Sequence, residues 1–600
     1  AKQRETNFTF DELNRQISRT LPHVDGQPDV TERQTFNSLG QFDTSTDFKG
    51  QITKYEYDSL GRIQHKKFYT DATAFQNGNV GAQVDYSYDQ YDGNGNRHDT
   101  VTDNRGTTDN KYDLHGRLIQ VAAPEGTINY AYDPATGRHT RTWTDKSDIT
   151  YGYYDVGRLQ TVTVTKRDGV TLPTPEVTTY RYSAVGLVDH VVRATGTTTD
   201  NTYDVLNLLS AAAHKNAIDA VMASYAYTRY ADGRIKDVQE NDGTGLTGSS
   251  HYDYDELGRL TLERYNGTAA GTDFTTTYAL DIVGNRLTKS TSFEDGHVEQ
   301  ITGLFDARDR LLHEDTRVNG TLSVTADYGY DANGSLTSRT SSDGSSATFG
   351  FDLRNRLSGA TNTRSESGIW VVHATSYRYN DEGIRVRSTD VSTPSGGSST
   401  TDDRVLLIDA NNPTGYAQVI EERTPAGVLL ASFVYGLEPL SQSQAGSVSH
   451  YLLDGHSGVR LLFDAANAIV TAYRYDTFGT LVAQIGSTIN ALLYRGERFD
   501  AVVAQYYLRA RFYDPNSGRF GAMDPLLGDK RNPPTLHRFT YAGVDPVNRV
   551  DPSGQFFAII GTAISSMISG LQNAWQGITH STILFRVSFT LIKLAMKLET

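Results

Sequence analysis

Aromatic and polar positions alternate along this chain in a short pattern that keeps returning. Tyr252-x-Tyr254-Asp255-x-x-Gly258-Arg259-Leu260 states it in full. Close copies stand at Tyr55-Tyr57-Asp58-Gly61-Arg62-Ile63, Tyr328-Tyr330-Asp331-Gly334-Leu336 and Tyr278-Leu280-Asp281-Gly284. Looser ones include Phe8-Phe10-Asp11-Asn14-Arg15, Tyr112-Asp113-Gly116-Arg117, Tyr203-Asp204, Phe351-Asp352-Asn355-Arg356 and Tyr473-Tyr475-Asp476-Gly479. The interval is irregular, roughly 20 to 30 residues, as expected of stacked supersecondary units. Residues two apart share one face of a strand, and aromatics favour such half-buried faces, so Tyr-x-Tyr predicts a strand. Asp opens a turn by bonding the backbone two residues on, and the Gly three positions later accepts a positive φ. Each unit therefore predicts one β-hairpin with Asp-x-x-Gly at its tip. A flat sheet of so many strands is unusual, because large sheets twist, curl or close to protect their edges.

The pattern divides the chain. Residues 1–390 are hairpin repeats, and the Ser/Gly/Thr-rich stretch 391–403 predicts a flexible surface loop. Residues 404–495 are divergent strands richer in Leu and Val, as at Val405-Leu406-Leu407-Ile408. Residues 496–555 form a distinct core, in which three Asp-Pro pairs follow Phe520, at Asp524, Asp545 and Asp551. From Phe556 the composition turns abruptly apolar, and residues 556–600 predict a helical segment. Its two apolar runs are interrupted, the first by Gly561, Ser565 and Gly570, the second by Arg586, Lys593 and Lys597, so neither is the clean span of roughly 20 apolar residues that a bilayer demands.

Composition sharpens this. With 36 Tyr against 3 Trp and 4 Met, and a mean hydropathy of −0.48, the core is thin and aromatic and much of the wall faces water. A formal net charge of −15 without a basic patch argues against nucleic-acid binding by the repeats. The absence of Cys excludes disulfides and thiolate metal sites, and no other metal-ligand spacing stands out. No cofactor motif or nucleophile elbow is present. Chain start and tail suggest a piece of a longer array, with any targeting segment upstream.

Tyr506-Tyr507-x-x-Ala510-Arg511-Phe512-Tyr513-Asp514-Pro515-x-x-Gly518-Arg519-Phe520, then Asp545-Pro-Val-Asn548 and Asp551-Pro-Ser-Gly554, resembles the core segment of RHS/YD-repeat proteins. That family includes bacterial polymorphic toxins, the cocoon-forming subunits of insecticidal Tc toxins, and teneurins. The resemblance covers nearly the whole chain to Gly554. It implies an all-β fold in which YD-repeat hairpins spiral into a hollow shell with the C-terminal segment inside. In toxin members the core is an aspartyl autoprotease, which implies Asp524 and Asp551 as the carboxyl pair, Arg519 as the nearest basic partner, and cleavage between Gln555 and Phe556. The logic is a close carboxyl pair that cannot cheaply ionise together, so one acts as base and the other as acid. This chain departs from the family in three places: Gln555 replaces an apolar residue, Met523 stands where some members have Arg, and Leu526–Pro534 is irregular. The competing reading makes the Asp-Pro pairs turn elements. Asp454-Gly-His456-Ser-Gly458 reads as a turn rather than an acid/base pair.

The leading expectation is a secreted or cell-surface container whose cargo is its own C-terminal segment. Its outside partners would be a delivery apparatus or a surface receptor, and a membrane would meet the tail after release. The competing expectations are a teneurin-like adhesion scaffold without proteolysis, and a carbohydrate-binding wall.

Overall fold

A computed structural model describes residues 4–529, 533–555 and 558–559. By contact they form two bodies, one of residues 5–131 and one of Arg4 with the described residues from Tyr132 onward. Of the apolar tail 556–600, expected to be helical, only Ala558–Ile559 is described, and it is a short strand; the rest lies outside the described residues.

Both bodies are built from antiparallel hairpins, and the tip chemistry follows from the Asp. At Asp255, Oδ1 accepts the N–H groups of Leu257 (3.0 Å) and Arg259 (2.9 Å), while Oδ2 accepts Nε of Arg259 (2.7 Å). Asp58 does the same with Leu60 and Arg62. The fourth position has φ +77° at Gly258, and where Gly is missing Asn takes over, at Asn14 (φ 58°), Asn207 (62°) and Asn355 (57°). Asn tolerates this left-handed region better than most residues. The ladder slips by one residue just before the tip, between Asp253 and Tyr254 and again between Glu56 and Tyr57. Such bulges strengthen local twist and curl the ribbon.

The second tyrosine of the motif joins successive hairpins. Tyr88 donates to the Ile63 carbonyl (2.8 Å), Tyr182 to Leu159 (2.7 Å) and Tyr254 to Ile235 (2.8 Å), each in the preceding repeat. The tip arginine of that repeat then covers the same ring, Arg62 over Tyr88 at 4.5 Å and Arg234 over Tyr254 at 4.7 Å. Tyr-Asp-Gly-Arg is thus a staple between repeats as well as a turn.

In the larger body the Leu- and Val-rich strands Gln418–Arg423, Leu429–Tyr435, Ser447–Leu453 and Val459–Phe463 are buried almost throughout. They lie on one face of the earlier hairpins. Thr144 bonds Glu421, Arg167 bonds Ser441 (3.0 Å), His214 meets the Leu453 carbonyl (2.9 Å), and Gly455 N–H donates to Tyr227 (2.8 Å). Both partners advance together along the chain, so the second pass runs alongside the first in the same sense. One apolar cluster accordingly joins Tyr225, Tyr252 and Leu260 of the first pass to Leu461, Phe463 and Phe478 of the second.

The expected loop at 391–403 is largely strand. Arg385–Pro394 pairs with Thr400–Asp409, leaving residues 395–399 as the exposed turn. Ser and Thr suit a paired, half-wet strand, which flexible composition alone does not reveal.

Beyond these, Arg498–Asp500, Gln505–Leu508, Arg511–Asp514 and Arg519–Phe520 make a separate small sheet. It packs through Val503, Tyr507 and Phe512 on Leu357, Tyr377 and Tyr379 of the hairpins. A buried Arg385–Asp500 ion pair at 2.5 Å, joined by the Tyr377 hydroxyl at 2.8 Å, fixes the seat. Among the described residues no helix is long and apolar enough to cross a membrane.

Candidate functional site

Asp524 follows the last strand of the small sheet. Its N–H donates to the Arg538 carbonyl (2.9 Å), Arg538 Nε donates back to the Asp524 carbonyl (2.9 Å), and Oδ1 accepts Leu526 N–H (2.8 Å). Asp551 opens the last described turn, where Oδ1 accepts Gln555 N–H (3.1 Å) and the Ser553 hydroxyl (3.2 Å). Each aspartate therefore spends one oxygen on its own turn. The other oxygen faces Arg511: Nη2 lies 2.8 Å from Asp524 Oδ2 and 3.6 Å from Asp551 Oδ2.

Arg511 comes from the strand Arg511–Asp514 and is 5% exposed. Besides the carboxylates it holds the Arg538 carbonyl through Nη1 (3.0 Å) and the Gly554 carbonyl through Nε, and its guanidinium lies over Phe520 at 3.6 Å. Burial pushes the Asp524 carboxyl above its ordinary range, against the charges of Arg511 and Arg538. Burial also lowers Arg511, with both aspartates opposing. An arginine nevertheless keeps its charge in this setting. The arrangement is a single cation between two carboxyl groups, and it is electrically balanced when one carboxyl carries a proton.

Residues 551–555 are laid against the turn at 508–511. Ala510 N–H donates to the Ser553 carbonyl (3.3 Å), and Arg509 holds the Pro552 carbonyl. Gly554 has φ +69°, and a Cβ there would stand 2.4 Å from the Leu508 carbonyl oxygen, so only Gly fits. Beyond the turn Ala558–Ile559 pairs back on Arg549–Val550. Phe556, expected on the far side of the cleaved bond, lies outside the described residues.

Arg519, expected beside Asp524, is elsewhere. Its Nη1 donates to Asn285 Oδ1 (3.0 Å), it bonds the Asp309 carbonyl, and its guanidinium sits between Phe305 (4.8 Å) and Phe539 (5.3 Å). It docks the small sheet on the hairpins. The middle Asp-Pro also docks: Asp545 Oδ1 accepts both N–H (3.2 Å) and Nδ2 (2.8 Å) of Asn548, whose Oδ1 in turn accepts Ile235 N–H (2.8 Å). Burial raises Asp545 to about 6. Asp454 Oδ1 accepts the N–H groups of His456 and Gly458, both at 2.9 Å. Burial pushes the His456 imidazole down to about 3, so it is neutral and a poor base. No group of three or more His, Asp or Glu among the described residues is arranged to hold a metal ion.

Residues 110–392 match the family described as Teneurin YD-shell. Over that stretch, just under half of its length, the chain is similar to YD-shell proteins. The chain is 26% identical over 291 residues to the tRNA3(Ser)-specific nuclease WapA of Bacillus spizizenii, covering 48% of this chain and 11% of that one. It is 25% identical over 346 residues to the double-stranded DNA deaminase toxin A of Burkholderia cenocepacia, covering 54% and 22%. Among solved structures, TcdB2-TccC3 aligns with 92% of this chain and 35% of its own, at 14% identity and a TM-score of 0.45. The chain thus spans a small part of the curated relatives it matches.

Sequence reasoning missed Arg511 and Arg538. Arg511 carried a signal, because an arginine amid Ala510, Phe512 and Tyr513 on a buried strand requires an acidic or carbonyl partner.

Proposed function

We propose that this protein is an enclosing YD-repeat scaffold that cuts its own chain next to Gly554, separating the repeat body from its C-terminal segment. The observation that carries the reading is the convergence of Asp524 and Asp551 on Arg511, with the Gly554–Gln555 turn held against the same guanidinium. Asp524, raised by burial, and Asp551 form the acid/base pair, and the arginine neutralises whichever carboxyl is ionised. Relatives named as a tRNA nuclease and a DNA deaminase toxin support a toxic C-terminal cargo. Such a cargo calls for a delivery apparatus or target-cell surface outside the producing cell. The test is a denaturing gel of the purified full chain. A fragment of a few kDa appears in the wild type and vanishes in Asp524→Asn and Asp551→Asn, while a single intact band at every pH rejects the reading.

The match to the teneurin shell family favours a second reading, an adhesion scaffold whose outer face binds a surface partner and whose tail is inert. Limited proteolysis separates the two. The container protects residues beyond Gly554 until it opens, whereas the scaffold gives an intact body with a freely trimmed tail.

A further inference from the structure

We propose that the strand Leu481–Ile485 is a docking edge for a β-strand of another polypeptide, of the Tyr-x-Tyr kind that opens the repeats. Self-cleavage plays no part in it. The repeats show what such an edge receives. The carbonyl five positions beyond the residue that opens the turn points at the following repeat and accepts its second tyrosine: Tyr57 donates to Phe42 (2.8 Å), Tyr203 to Val188 (2.7 Å), Tyr254 to Ile235 (2.8 Å) and Tyr475 to Val459 (3.0 Å). Beyond that carbonyl the backbones pair, with Asp237 opposite His251, Val238 opposite Ser250 and Gln239 opposite Ser249. The turn at 476–480 closes with the same backbone bonds as the turn at 230–234, Asp476 N–H to the Thr480 carbonyl and Gly479 N–H to the Asp476 carbonyl, both at 2.9 Å. Leu481 therefore stands where Ile235 stands, and Ala483, Gln484 and Ile485 stand where Asp237, Val238 and Gln239 do. No repeat follows them. Among the described residues only Ile469–Tyr475 pairs with this strand, and no hydroxyl reaches the Leu481 carbonyl.

The side chains agree. Leu481, Val482 and Ile485 are 39%, 44% and 43% exposed, and residues 477–494 contain no Lys, Arg, Asp or Glu. Sheet edges that stay in water are ordinarily blunted by charge or proline, and Leu481–Ile485 carries neither. The occupant is a strand held by main-chain bonds and apolar contact, the mode of β-strand addition, with a tyrosine hydroxyl for the Leu481 carbonyl. A second copy pairing through the same Leu-Val-Ala-Gln-Ile strand brings no hydroxyl to that carbonyl. One feature of the repeats is missing: Thr480 stands where Arg234 covers the incoming ring, so the partner's tyrosine gains no cation here.

The probe is a capped peptide copying Gly248–Tyr254, the strand that fills the equivalent place beside Ile235–Asn241, titrated against the full chain. Saturable binding is expected, with amide exchange slowed within Leu481–Ile485 and not at other strands. The same peptide with Tyr254→Phe lacks the hydroxyl and should bind more weakly by roughly 2- to 10-fold. No binding, slowing confined to other strands, or equal binding by the two peptides overturns the proposal. Slowing within Leu481–Ile485 that grows with protein concentration in the absence of peptide also overturns it, in favour of a second copy of the chain.

Discussion

The Glu263 carboxylate accepts the backbone N–H of Thr477 at 3.1 Å, across 214 residues of chain. The contact joins the first pass of hairpins to the second, and Glu263 is 2% exposed. Burial first, then the nearby Asp476, raises its carboxyl from an ordinary 4.5 to about 7. Between those values the folded chain binds more protons than the unfolded one. Stability from this residue therefore falls as pH rises from about 4.5 to about 7 and is level above that. Glu263→Gln keeps an acceptor for Thr477 without the charge. The expected result is a higher urea midpoint at pH 8, a nearly unchanged one at pH 4.5, and a flatter profile between. An unchanged slope would show that another group carries the pH dependence.

The turn chemistry predicts a local effect. Asp255→Ala removes two backbone bonds and the Arg259 partner, costing about 1–3 kcal/mol. Amide exchange at Leu257 and Arg259 should accelerate accordingly. Asp255→Asn retains Oδ1 as acceptor and should cost clearly less; equal acceleration in the two variants would contradict the role assigned to that oxygen.

Arg519 should act on docking alone. Arg519→Gln leaves Asn285 and the Asp309 carbonyl without a cationic partner, lowering stability by about 1–3 kcal/mol. At temperatures where the variant is folded, self-cleavage should continue at the same bond. A folded Arg519→Gln chain that does not cut would return Arg519 to the chemistry.

Arg511 and Arg519 show what the sequence makes legible. The hairpin tips are local, since Asp, Gly or Asn, and Arg within five positions specify the turn, and Tyr-x-Tyr specifies the strand before it. Asp524 and Asp551 are visible through their Asp-Pro context. Which arginine meets them depends on how the small sheet is oriented on the hairpins, and nearness in sequence favours Arg519 although Arg511 makes the contact. The same limit hides the pairing of Glu263 with Thr477 and of Arg167 with Ser441, because the local pattern of one pass carries no mark of the pass that covers it. The apolar run of Val459–Phe463, interrupted only by Arg460, marks a strand buried on both faces, without naming the covering strands.

Gly554 offers a steric test of the site. Gly554→Ala places a Cβ 2.4 Å from the Leu508 carbonyl at a φ of +69°, so the turn must lift off Arg511. The repeat body should keep its stability while fragment formation stops. Wild-type cutting by this variant would mean that the turn need not lie against the strand.

The central claim is that Asp524 and Asp551 work as one unit around Arg511. The most direct measurement is the rate at which the full chain loses its C-terminal fragment, followed by intact mass in the wild type, Asp524→Asn, Asp551→Asn and the double variant. Groups that act together are strongly non-additive, so each single variant should fall to the rate of the double. A folded single variant that cuts at the wild-type rate would contradict the account.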